Sequence, residues 1–468
     1  MRKLKKFLAL GLSAVLMTSL AACGASSQGT SDKASQSASN GNEEAATDNS
    51  TEAGNESQIS YENCALTFSW WGDETTHETT LAAIEAFEAK YPGITINESY
   101  GIWNGWENSL ASQFETGTAP DVNQIDWGWI SSYSSEGETF LDLNTVSDVL
   151  DLEQLDPKYL AMCTIADELQ AVPVSMTGCI FFWDKTTFDK AGISVPSTLE
   201  ELMSAGTTFK EELGKDYYPL ALDEYDRMIL MVYYLESVYG KPWVVDNTLN
   251  YTVEEIQTGL EFIQSLETAH VIPSVAELLS DNSSSLSENS NWIKGKYAGV
   301  FGWDYEAAEY ESSLKKGREF VVGEELADMG DYQGGFSKIS MGYAISENCE
   351  HPKEAALFID FLLNQEEGTT IIGSSRGIPL SQAALATCTE KGLLNESVAE
   401  ANKKILDYVT FGTDPRFENT NLTDVNGIYY DVMFGLSYGS YDIPTSAQTL
   451  SDGITAVLNN SITSSPTK

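Results

Sequence analysis

The chain has 468 residues, with 70 acidic against 26 basic side chains and a net charge of −44. Beyond residue 58 the balance is 64 acidic to 21 basic, a field that repels nucleic acid and anionic lipid surfaces. Six cysteines without C-x-x-C spacing and three scattered histidines give neither a disulfide framework nor a zinc motif, so no metal or cofactor is expected.

The chain opens on MRKLKK and continues into FLALGLSAVLMTSLAAC, an apolar run too short for a membrane span and flanked as an export signal is. Residues 1–22 read as a signal peptide. Leu20-Ala21-Ala22-Cys23 resembles the lipobox of bacterial lipoproteins, which implies that Cys23 is lipidated and becomes the N-terminus. Residues 23–58, rich in Ser, Gly, Glu and Ala with no aromatic side chain, cannot bury a core and read as a flexible tether.

After the tether, strand and helix patterns alternate. CALTFSW is β-rich, and THETTLAAIEAFEAKY places Leu81, Ile84, Phe87 and Tyr91 at helical spacing before Pro92-Gly93. GITINES is a second strand, residues 104–115 a helix with Trp106, Leu110 and Phe114 on one face, and PDVNQID a third strand. This β-α-β-α-β order implies a parallel sheet with helices on its faces. From Pro173 the strand GCIFFWD leads to helices at 197–213, 224–239 and 252–268, the last opening on the capping box Thr252-x-x-Glu255. YAGVFG and KISMGYAIS are further strands, HPKEAALFIDFLLN a helix, and the C-terminal part is mostly helical, with segments near 397–409, 425–437 and 446–459.

In open α/β sheets ligands bind outside the carboxyl ends of the strands. Here those ends carry Trp71, Gly72 and Asp73; then Tyr100 to Trp103; then Asp126, Trp127 and Trp129; and, after YAGVFG, Trp303, Asp304 and Tyr305. Five of the ten tryptophans in the chain fall at these ends, too many for packing to account for all of them. Flat apolar faces beside carboxylates suit sugars, whose axial C–H groups lie on an indole while the hydroxyls seek acceptors and forked donors. In LTFSWW the residues Leu66, Phe68 and Trp70 share one apolar face, so Trp70 belongs to the core. Trp71 stands where the strand gives way to Gly72-Asp73 and is expected to offer its indole to a cleft, at little cost in stability when removed.

Blocks such as LTFSWWGDE, QFETGTAPDV, VPVSMTGCIFFWDKTTFDKAGI, KYAGVFGW and ISMGYAIS…HPKEAALFIDFLLNQEEG…GIP resemble, in order over residues 64–460, the family 1 extracellular solute-binding proteins. The resemblance implies an α/β, two-lobed, periplasmic-binding-protein-like fold, each lobe a mainly parallel sheet flanked by helices, with the ligand in the interlobe cleft. It implies an N-terminal lobe of residues 59–172 and 322–366 and a C-terminal lobe of 173–321 and 367–468. It also implies a monomeric, lipid-anchored subunit of an ABC importer on the outer face of a Gram-positive cell membrane, delivering an oligosaccharide to permease subunits. Carried over by position, the ligand-binding residues are Trp71, Asp73, Trp103, Asp126, Trp127, Trp129, Trp303, Tyr305 and Arg376. Asp184-Lys185 stands where family members often have Asn-Lys.

A lipid-anchored glycoside hydrolase is the alternative, since it also combines aromatics and carboxylates in a cleft. The chain shows a few β-α units and then long helical stretches, which does not suit the eight-fold barrel common among such enzymes. Gly373-x-Ser375-x-Gly377 matches a nucleophile elbow, but Pro379 follows where a helix must start and no histidine lies downstream. No catalytic residue is therefore assigned.

Overall fold

The computed structural model describes residues 60–463 except 104, 246, 284 and 411. The expected signal peptide, Cys23 and the tether to residue 58 lie outside the described residues.

In chain order the elements that position the cavity are β1 (Cys64–Trp71), α1 (Glu74–Lys90), β2 (Ile94–Gly101), α2 (Trp106–Thr116), β3 (Val122–Asp126) and α3 (Trp127–Tyr133). There follow β4 (Val172–Asp184), α4 (Leu199–Glu212), α5 (Glu224–Tyr239), α6 (Val253–Thr268), β5 (Gly299–Trp303), β6 (Phe320–Val322) and β7 (Ser337–Ile345). The chain ends in α7 (Pro352–Leu363), α8 (Glu396–Tyr408), α9 (Ile428–Tyr438) and α10 (Ile443–Thr463). The capping box read at Thr252 and Glu255 is present, each side chain bonding the other's backbone N–H at the start of α6.

One sheet runs in the order β6-β4-β7-β3-β1-β2, with β5 also on β4. β1 lies parallel to β2, from Cys64 opposite Ile94 to Trp71 opposite Gly101, and parallel to β3 at Phe68 and Ser69. The βαβ connections through α1 and α2 produce that direction, because a crossover helix returns the chain to the same end of the sheet. β7 reaches this sheet from the other lobe and pairs antiparallel with β3 and β4. β5 and β6 also run antiparallel to β4, so the parallel pairing is concentrated in β2-β1-β3.

β4 is a structural link between the lobes. All 13 of its residues are buried, which suits its mainly apolar sequence; the exceptions Ser175, Thr177 and Asp184 are buried with hydrogen-bond partners. Val172, Val174 and Met176 belong to the same core as Leu66, Phe68 and Phe358. Cys179, Phe181 and Trp183 enter the core built on α5, α6, α9 and α10, while Ile180 and Phe182 enter a smaller one with Trp292, Tyr310 and Ile405 on the opposite face. The side chains alternate as a strand dictates, so the sheet of the second lobe is covered on both sides. The chain changes cores within this strand, between Met176 and Cys179; the expected division at Pro173 falls inside the same strand. No helix among the described residues is long and apolar enough to cross a membrane.

Candidate functional site

The carboxyl ends of β1, β2 and β3 open onto a cavity of about 810 Å³, within the roughly 300–1,000 Å³ typical of small-molecule sites. Of the nine residues expected to bind ligand, Trp71, Asp73, Trp103, Asp126, Trp129, Trp303, Tyr305 and Arg376 line it. Trp127 does not. Its indole N–H donates to the Met162 carbonyl at 2.8 Å, and its ring lies in the first-lobe core. The segment after β3 begins a helix at once, and positions 127 and 129 of a helix point about 200° apart, so only one of them can face the cavity.

Trp71, Trp103 and Trp129 form a three-indole cluster. Trp103 stacks on Trp129 with ring centroids 5.2 Å apart and planes 17° from parallel, and Trp71 packs against both, at 5.2 and 4.9 Å. Trp103 keeps 51% of its surface exposed, leaving a free aromatic face. Trp71 is only 9% exposed and still in register on β1, so it serves the core and the cavity wall together. From the other lobe, Trp303 stacks with Tyr305 and with Tyr225 at centroid distances of 6.2 and 6.4 Å.

The two carboxylates that follow the parallel strands both cap helices. Asp73 Oδ1 accepts the Thr76 N–H at 2.7 Å at the start of α1, a bond that holds its carboxyl below the usual range. Asp126 Oδ1 accepts the Gly128 N–H at 2.8 Å at the start of α3. Here desolvation wins over that bond and over nearby Lys338, and pushes the carboxyl up. Asp304 is buried and accepts from Thr177 Oγ1 at 2.5 Å and Asn402 Nδ2 at 2.6 Å, so it anchors the Trp303–Tyr305 turn.

Three cations line the cavity among the described residues, and they differ in their partners. Lys338 pairs with Glu418 and lies 5.2 Å from the Trp303 ring centroid. Burial alone would lower its ammonium pKa, but Glu418 and Asp126 outweigh that and hold it above its ordinary value. Arg416 forks onto Asp414 through bonds of 2.8 and 2.6 Å. Arg376, 4% exposed, meets only neutral partners: its Nε donates to Gln124 Oε1 at 2.8 Å and its Nη2 to Thr80 Oγ1 at 2.6 Å. Its Nη1 is buried without a partner. A guanidinium held in this way can donate to an oxygen of a bound molecule.

Tyr225, Lys338, Arg416 and Glu418 were not among the residues expected from sequence. Lys338 and Tyr225 sit near the starts of a strand and a helix, where the strand-end rule does not look. Arg416 and Glu418 lie in the turn Pro415–Glu418, which comes from the C-terminal segment. That turn packs close to α3: a β-carbon on Gly128 would stand 3.4 Å from the Pro415 carbonyl oxygen. The charged sequence DPRFEN was the one local signal for it.

The family model described as bacterial extracellular solute-binding protein matches residues 72–369. A periplasmic oligogalacturonide binding protein from Yersinia enterocolitica, solved with saturated digalacturonic acid, is 31% identical, with a TM-score of 0.76 over 85% of this chain and 99% of that one. The periplasmic solute binding protein ECA2210 from Pectobacterium atrosepticum SCRI1043 is 31% identical, with a TM-score of 0.77 over 85% of this chain and 99% of that one. A de novo designed cysteine esterase, ECH19, is 30% identical, with a TM-score of 0.79 over 86% of this chain and all of that one. Curated relatives from Brucella abortus and Brucella suis, named as binding proteins, are 24% identical over 141 residues, and the chain spans only 32% of their length. With a family model that covers more than half of its length and a two-lobed α/β fold shared with these solved relatives, the chain belongs to the bacterial extracellular solute-binding proteins.

Proposed function

We propose that this protein is the substrate-binding subunit of an ABC importer, that it captures an oligosaccharide in the cavity between its lobes, and that it carries out no chemical step. The observation that carries this reading is the pairing of the Trp71–Trp103–Trp129 cluster with the Trp303–Tyr305–Tyr225 stack around one cavity lined by capped carboxylates. Indole faces take the apolar faces of pyranose rings, and the fixed acceptors take hydroxyls. Arg376 Nη1 is a buried donor without a partner at the cavity wall, and the Yersinia relative was solved with digalacturonic acid, so uronate-bearing oligosaccharides belong in the first set of ligands tested. The strongly acidic cavity wall and overall charge weigh against a ligand with many carboxylates.

The test is a thermal-shift screen against neutral and uronate oligosaccharides, followed by calorimetry on the best ligand. A ligand that binds only the folded state raises the midpoint by mass action. The expected dissociation constant is about micromolar, roughly −8 kcal/mol, with the sugar recovered intact. Cleaved product at enzyme-like turnover would replace this reading with the hydrolase. The lipid anchor is a separate part of the proposal, resting on Leu20-Ala21-Ala22-Cys23. Cys23→Ser is expected to move the protein from the membrane fraction to the medium, and retention at the wild-type level would refute the anchor.

A further inference from the structure

β1 has Trp71 at one end and Cys64 at the other, on the order of 23 Å away by strand rise. Around Cys64 the fold gathers residues far apart in sequence. The Cys64 thiol, an imidazole nitrogen of His351 and a carboxylate oxygen of Glu354 lie within 4.8 Å of one another. His351 holds the N-cap position of α7 but makes no side-chain capping bond, and Glu354 is in the first turn of that helix, 6% exposed. Glu354 Oε1 accepts the Glu62 N–H at 2.7 Å, while Oε2 stands 4.0 Å from His351 Nδ1, too far for a hydrogen bond.

The charges acting on the Cys64 thiol are the carboxylates of Glu354, Asp121 and Glu62. Lys353, the cation adjacent in sequence to Glu354, is turned away to Asp148 at 2.7 Å. The cluster thus combines three donor groups with nearby carboxylates, which Lys353 does not balance.

We propose that Cys64, His351 and Glu354 bind a divalent cation of the zinc class, which clips the first strand of the folded domain to the start of α7. Thiolate and imidazole select zinc-like ions, whereas calcium and magnesium require oxygen ligands throughout. In a tetrahedral zinc site the donors stand on the order of 3.3–3.6 Å apart, so the site closes by about an ångström. Cys64 and His351 are half-buried, so their side chains are the ones that must rotate to close it. Binding releases the Cys64 proton to solvent and leaves the fourth position to water. Cys349, which interacts with Asp121, is a neighbour and not a ligand.

The test uses the full chain carrying Cys23→Ser, titrated with cobalt(II) and then with zinc(II). One equivalent of cobalt is expected to give the visible bands of a tetrahedral ion and a thiolate-to-metal band in the near ultraviolet, all displaced by zinc. Cys64→Ser should abolish the thiolate band, His351→Ala should weaken affinity by about tenfold or more, and Cys349→Ser should leave both unchanged. Circular dichroism of each metal-free variant shows that it has folded, and His351→Ala, at a half-exposed position, serves if Cys64→Ser has not. A thiolate band that survives Cys64→Ser, cobalt bound equally well by His351→Ala, or no band at all overturns the proposal. So does an intact mass showing a Cys64–Cys349 disulfide in the purified protein.

Discussion

Trp70→Ala is expected to destabilise the unligated protein by about 3–5 kcal/mol, the usual cost of emptying a buried aromatic site. Trp70 has no exposed surface and is stacked between Phe68 at 5.0 Å and Tyr100 at 4.7 Å, and its indole N–H donates to His77 Nδ1 at 3.1 Å. Alanine removes all three contacts, and the surrounding sheet and α1 cannot close the space. Its neighbour behaves differently. Trp71→Ala should cost less, about 2 kcal/mol, because one side of its ring already faces the cavity; that is more than its place at the strand end suggested, since it also supports Trp103 and Trp129. Trp103→Ala should leave stability within about 1 kcal/mol while weakening binding of the best glycan by about 2 kcal/mol, as loss of an exposed aromatic anchor does. Urea titrations of the three variants and calorimetry on Trp103→Ala provide the measurements. If Trp103→Ala binds the glycan as wild type does, the indole cluster is packing alone and the proposed ligand site fails.

The second large effect concerns Lys338. Lys338→Met should destabilise the protein by about 3 kcal/mol at neutral pH, the lower end for breaking a buried ion pair, since 12% of each partner's side chain still meets solvent. Methionine fills the volume but leaves Glu418 without its counter-ion and Asp126 without the charge that offsets its burial. The pH dependence follows from Asp126. Its folded-state pKa is raised, so the native protein holds the proton more tightly than the unfolded chain, and stability falls as pH rises from the unfolded value through the folded one. Removing Lys338 raises that pKa further and extends the fall to higher pH. The part of the difference between variant and wild type that comes from Asp126 should therefore be smallest below the unfolded carboxylate value and grow as pH rises towards neutral. A difference independent of pH over that range would show that Lys338 acts through packing and not through charge.

Much of the fold was legible because the signals were local. The alternation in LTFSW put Leu66, Phe68 and Trp70 in the core, where all three have no exposed surface. Helical spacing located α1, α6 and α7 to within a few residues, and Thr252-x-x-Glu255 marked the first residue of α6. The long strand β4 was read only from Gly178, because an extended strand crossing between two cores looks from sequence like a domain boundary at Pro173. Pairing direction beyond β2-β1-β3 was not legible either. It depends on which lobe a strand returns from, and no residue near β7 records that.

The candidate site divides in the same way. The strand-end rule found Trp71, Trp103, Trp129 and Trp303 because a strand delivers the residues at its carboxyl end, and those just after it, to the sheet's edge. It placed Trp127 wrongly because α3 begins without a linker, and helical rotation then separates two tryptophans that are nearly adjacent in sequence.

By itself, the sequence determined which side chains are apolar, how they alternate and where strands end, and from these came the α/β order and the indoles around the cavity. Only the tertiary structure decided which polar side chains meet. Lys338 finds Glu418, Arg376 finds Gln124 and Thr80, and Cys64 finds His351 and Glu354, all across long stretches of chain. Hydrophobic periodicity is a property of neighbours along the chain, whereas electrostatic pairing is a property of distance in space, and sheet order and the crossing of β4 between lobes set that distance.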